Sequence, residues 1–216
     1  MRSAFHEDLD GIFDELVSIC TQVETAVRSA TEALLSGRTD LAEQVISDDA
    51  AIDLARETIE DNALGLLSLQ APVAGDLRIL VAALRMVSDL ERMGDLSVHV
   101  AKIARLRTPN LAVPEQARPT ISRMAEVAES MVHRTCEIIR TRDVAAAEEL
   151  RSEDEEMDNL RRTSFAELLG SQWTAGVEAA VDVALLGRYY ERIADHAVTI
   201  AGRVVFVVTG ENPVSA

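Results

Sequence analysis

The chain repeats itself, and the repeat limits what it can fold into. Asp89-Leu90-Glu91-Arg92-Met93-Gly94-Asp95-Leu96 returns as Tyr189-Tyr190-Glu191-Arg192-Ile193-Ala194-Asp195-His196. Asp49-Ala50-Ala51-Ile52-Asp53 returns as Asp154-Glu155-Glu156-Met157-Asp158. Each copy holds acidic residues four positions apart, a spacing that puts both carboxylates on one face of a helix. Two copies of one helical unit are therefore expected, each carrying two acidic pairs.

The apolar pattern between the motifs is helical almost throughout. Leu9, Ile12, Phe13, Leu16, Ile19, Val23, Val27 and Ala30 form one stripe at spacings of three and four. It stops near Ser36-Gly37-Arg38. A second helix starts near Thr39-Asp40, a cap-forming pair, and runs to about Leu69. Pro72 opens a third, ending near Leu106. The stretch Thr108 to Pro114 reads as the linker. Three further helices follow, over about Gln116–Thr141, Asp143–Leu169 and Ala175–Thr209. The expectation is an all-α fold, a tandem repeat of two three-helix bundles related by a pseudo-twofold: 1–107, linker 108–114, then 115–210, with a tail at 211–216. Aromatic residues make up 3% of the chain against 48% hydrophobic, so the core must come from Ala, Leu, Val and Ile, which suits close helix packing. Val204 to Val208 is the only strand candidate, and it continues the sixth helical stripe.

Registration follows from the helix breaks. In an antiparallel hairpin, residues equidistant from the turn lie at the same height. The Asp49/Asp53 and Glu91/Asp95 pairs are centred on Pro72. The Asp154/Asp158 and Glu191/Asp195 pairs are centred between Thr174 and Ala175, in another turn-forming stretch. Each hairpin should bring four carboxylates side by side, about 30 Å from its loop by helix rise. Such a patch opposes folding unless it is neutralised. Two remedies are open: ion pairs from Arg92 and Arg192, with Arg85 and Arg188, or a divalent or trivalent cation, since hard cations take carboxylate ligands.

Other chemistries find little support. A net charge of -16 with no basic run excludes nucleic-acid binding by phosphate contacts. None of His6, His99, His133 or His196 follows a Glu by three positions, as a ferritin-like di-iron centre requires, and His99 and His196, at different offsets from the acidic motif, read as structural. The glycines form no phosphate-binding loop and no nucleophile elbow, so no enzyme is expected. Cys20 and Cys136, both on apolar helix faces, read as buried free thiols in a reducing compartment. With no signal-peptide pattern and no apolar run of spanning length, the expectation is a cytoplasmic protein without direct membrane insertion.

Pro72-Val73-Ala74-Gly75-Asp76-Leu77-Arg78 together with Asp89 to Asp95 resembles the signature of the PhoU family, and Glu191 to His196 fits that family's duplicated design. The resemblance runs from about Phe5 to Gly210. It implies a cytoplasmic adaptor, not a catalyst, that links the ATP-binding subunit of a phosphate ABC transporter to a sensor histidine kinase. The adaptor lowers the phosphate-starvation response when phosphate is plentiful, and members are often homodimeric. It also implies metal positions at Asp49, Asp53, Glu91 and Asp95, and at Asp154, Asp158, Glu191 and Asp195, for iron, zinc, magnesium or manganese. A metal-binding or metal-storage bundle using the carboxylates directly is the alternative. Asp76, Arg78, Arg92 and Arg192 are the candidate partner contacts, with Asp76 complementing a helix dipole and Arg78 solvated as the plainer reading. The second repeat offers Trp173-Thr174-Ala175-Gly176-Val177-Glu178 in place of the Pro72 motif, so the two hairpin tips should bind different things.

Overall fold

A computed structural model describes residues 2–70, 72 and 74–211; Ala71, Val73 and all of the expected tail except Glu211 lie outside the described residues. Among them are six helices and no strand: α1 (Arg2–Ser36), α2 (Thr39–Gln70), α3 (Ala74–Arg107), α4 (Arg118–Thr141), α5 (Val144–Leu169) and α6 (Gly176–Thr209). The all-α, two-bundle reading holds, and Val204 to Val208 lies inside α6.

The breaks are chemically legible. Gly37 ends α1 with φ 70°, a left-handed conformation that glycine reaches without a Cβ penalty. Pro119 occupies the first turn of α4, where a missing N–H costs nothing. Asp143 caps α5 by accepting from the amides of Ala145 at 2.9 Å and Ala146 at 3.1 Å. Gly210 closes α6 with φ 79° and donates its amide to the Phe206 carbonyl. A Cβ there would also stand 2.5 Å from the Arg78 guanidinium.

The helices share one core. In the first repeat α1, α2 and α3 pack on one another; in the second, α4 packs on α5 and α6, and α5 on α6. Between repeats, α1 lies against α4 and α3 against α6, while α2 and α5 touch only their own repeat. Both seams run antiparallel, as a twofold demands. Arg118 donates to the Leu35 carbonyl at 2.7 Å, and Arg142, at the other end of α4, reaches Asp10 at 2.7 Å. Across the other seam Arg78 donates to the Val207 carbonyl, and Arg107 grips Asp182. Leu16, Ile19, Leu80, Met86, Leu90, Met93, Met124 and Met131 are fully enclosed, with Ala30, Ala83, Ala101 and Ala201 at helix contacts. Small residues let long helices approach closely, with Phe5, Phe13 and Tyr190 as the buried aromatics.

The cysteine expectation needs correction. Cys20 and Cys136 are buried, as apolar thiols should be, but they form a disulfide with Cα atoms 5.6 Å apart, joining α1 to α4. The two are not symmetry equivalents, so repeat comparison does not pair them. The inference of a reducing compartment from free thiols falls with it.

Candidate functional site

The carboxylates meet where the hairpin midpoints place them. In the first repeat, Asp49 on α2 feels Asp95 across the hairpin and Asp53 along its own helix; Glu91 on α3 feels Asp95 and Asp53. In the second, Asp154 on α5 feels Asp195, Asp158 and Glu191. Packing explains the alignment. Ile52 and Met157, each between the two acids of its own helix's pair, are buried, so the flanking carboxylates line the rim. Gly94 admits α2 closely: a Cβ at that position would lie 3.1 Å from the Ile52 side chain and 3.7 Å from an Asp49 oxygen.

The two patches neutralise their charge differently. Burial, and then the neighbouring carboxylates, hold Asp49 and Glu91 above the usual carboxylate range. Arg92 is mostly exposed and only brushes Glu91 at 3.6 Å and Asp95 at 3.5 Å. Arg56 pairs with Glu60 at 2.8 Å and acts on Glu91 only through longer-range attraction. In the second patch Glu191 is 6% exposed and is held by Arg161 at 2.5 Å and by Arg188. Arg161 corresponds to Arg56, whereas Arg188 stands where the first repeat has Ser88. Asp154 is left outside this clamp, and burial with three acidic neighbours pushes its carboxyl up to about 6.

All eight positions offer hard oxygen donors, a set suited to magnesium, manganese or iron. Among the described residues, however, no three His, Cys, Asp or Glu side chains converge on one point. The carboxylates are neighbours rather than a formed coordination sphere.

The remaining candidates divide. Arg78 is not solvated: it donates to Val207 at 3.2 Å and lies over the Phe206 ring, tying the first hairpin tip to the end of α6. Asp76, in the first turn of α3, is partly exposed. Arg192 is exposed and makes no ion pair among the described residues. His99 and His196 are structural. His99 stacks on Tyr189 with centroids 5.3 Å apart, and His196 meets Asp89 at 3.0 Å. Sequence reasoning missed that Asp89, the first residue of the repeated motif, also accepts from Arg203 at 2.9 Å and so binds α3 to α6. It missed Arg161 and the Arg107–Asp182 pair as well. The first had a signal available, because Arg56 and Arg161 occupy matching positions.

Two hairpins with facing acidic pairs, joined about a twofold on a single core, define a class of duplicated helical proteins. Comparison with known proteins gives the family. The PhoU domain matches residues 16–104 and again 121–204, and the chain belongs to the PhoU family. It is 46% identical over 213 residues to the phosphate-specific transport system accessory protein PhoU homolog 2 of Mycobacterium tuberculosis, covering 99% of this chain and 100% of that protein. It is 33% identical to the PhoU homolog of Deinococcus radiodurans, covering 97% and 99%. The crystal structure of the phosphate transport system regulatory protein PhoU from Streptococcus pneumoniae superposes with a TM-score of 0.87 at 25% identity, covering 97% and 99%. These relatives are named accessory and regulatory proteins, not enzymes, in keeping with the expectation that this chain is not one.

Proposed function

We propose that this chain is a regulatory accessory protein of a phosphate transport system. It acts as a cytoplasmic adaptor between the transporter's ATP-binding subunit and a sensor histidine kinase, damping the phosphate-starvation response. Near-complete coverage of accessory-protein relatives at 46% identity carries the reading. No helix among the described residues is long and apolar enough to cross a membrane, so membrane association would go through the transporter. The buried Cys20–Cys136 link is shielded from soluble thiols in such a setting.

The second hairpin tip supports a protein contact. Val177, Val181 and Leu185 lie on one face of α6 and are 81%, 52% and 40% exposed, with Leu169 nearby in sequence at 86%. The corresponding face of α3 carries Leu77, Val81 and Arg85. A partner or a second copy of the chain would cover this apolar stripe. Co-purification with the transporter ATPase subunit and with the kinase cytoplasmic domain tests the adaptor role. Capture of both is expected, with Val181→Asp weakening one of them. Capture of neither by the unaltered chain contradicts the reading.

A second reading is favoured by the raised Asp49 and Glu91 carboxyls. Asp49, Asp53, Glu91 and Asp95 would hold a cation, iron, zinc, magnesium or manganese, which would supply positive charge to a patch short of it. Asp154, Asp158 and Asp195 could do the same beside the engaged Glu191. Metal analysis of protein prepared without chelator checks this. Absence of metal, with melting unchanged by chelator, removes the cation and leaves the adaptor.

A further inference from the structure

The first bundle contains a cleft that no part of the adaptor reading uses. It opens between α1 and α2, has a floor on α3 at Gly94 and Val98, and encloses about 310 Å³, within the lower range of small-ligand pockets. Val45, Ile52 and Val98 form an apolar base. Thr25, Ser29 and Gln44 offer neutral hydrogen-bonding groups at the rim, and Asp48 and Asp49 close one side. Among the described residues, no Lys or Arg lines it.

The second bundle bridges the corresponding seam with side chains that the first lacks. Aligning the repeats on Asp49 with Asp154 and Glu91 with Glu191 pairs Ser29 with Arg134, Gln44 with Glu149 and Asp48 with Glu153. Arg134 bridges both glutamates, spanning α4 and α5. Arg123, where the first repeat has Ser18, adds a second bridge to Glu156 at 2.7 Å, where the first has Ala51. At the floor, fully buried Met131 stands in place of Ala26, and Ala194 in place of Gly94. Ser18, Ser29, Ala51, Ala26 and Gly94 leave the first seam smaller in side chain, and Ser18 and Ser29 leave it without the arginine cross-links of the second. Asp49 feels Lys102 and His99 from α3, but among the described residues no cation stands in the wall itself.

We propose that the α1–α2 cleft of the first bundle binds a small organic cation with an apolar body, its ammonium group against Asp48 and Asp49 and its body on Val45, Ile52 and Val98. An anion such as inorganic phosphate is the wrong charge for this wall.

Amide NMR of the full chain in chelator, titrated with phenethylammonium, tests the proposal. Saturable shifts are expected at Thr25, Ser29, Gln44 and Ala51, and none for 3-phenylpropionate or inorganic phosphate at the same concentrations. Ser29→Arg, which imports the cross-link of the second bundle, should weaken binding about tenfold or more. Ala26→Met, which fills the floor, should do the same by a different route, and Arg134→Ser in the other bundle should change nothing. The proposal is overturned if phenethylammonium gives no saturable shift up to millimolar concentration, if the carboxylate analogue binds equally, or if both cleft variants bind as the unaltered chain does.

Discussion

The two repeats place the same carboxylates at the same height and then treat them in opposite ways. In the second, Glu191 is buried under two guanidiniums, and the α4–α5 seam is bridged by Arg123 and Arg134. In the first, Arg56 is spent on its own helix, Ser88 replaces Arg188, and Asp49 and Glu91 are left with raised proton affinity beside an open cleft. A duplicated backbone thus yields one patch whose Glu191 is clamped by two arginines while Asp154 stays unrelieved beside it, and one patch in which Asp49 and Glu91 are both raised.

The sharpest way to break the comparison is to remove the central glutamate from each half. Glu191→Ala strips the acceptor from Arg161 and Arg188 and should cost about 2 kcal/mol, less than a fully buried pair because both arginines can turn to water. Glu91→Ala removes a carboxylate already opposed by its neighbours and should fall within about 0.5 kcal/mol of neutral. Denaturant unfolding of the two variants measures the gap, and equal losses would erase the distinction.

Asp154 gives the next effect. Its native proton affinity exceeds that of the unfolded chain, so between about pH 4 and pH 6 the native state holds the extra proton. Stability therefore falls as pH rises through that window and stays lower above it. Asp154→Asn should stabilise by about 1 kcal/mol at pH 7.5, discounted for partial exposure, and by nothing near pH 4. A gain of equal size at both pH values would point to packing instead of charge.

The smallest effect is expected at Gly94→Ala, which copies Ala194 into the first repeat. Ala favours the helix by roughly 1 kcal/mol over Gly, while the new Cβ presses the Ile52 side chain, 3.1 Å away. These terms offset, so the melting temperature should barely move. A loss of several degrees would mean that Ile52 has no room to yield and that α2 depends on the close approach.

Helix bounds and carboxylate registration were legible because both are set along the chain. Period, caps and breakers fix where α2 and α3 end, and the distance to Pro72 then fixes which residues meet. What was hidden depends on how helices are rotated against partners from the other repeat. Asp89 reads as one more motif acid until α6 brings His196 and Arg203 to it. Cys20 and Cys136 read as two lone thiols because the antiparallel α1–α4 seam, not the repeat, pairs them. Arg78 read as a free tip residue because nothing in its own helix shows the end of α6 above it.

Side-chain carboxyl NMR of Asp154 as a function of pH, in the unaltered chain and in Asp195→Asn, tests most directly whether acidic residues meet across the hairpin. The titration midpoint is expected near 6, moving down towards the ordinary carboxylate range when Asp195 loses its charge. A midpoint near 3.8, unmoved by the substitution, would contradict the facing-carboxylate geometry.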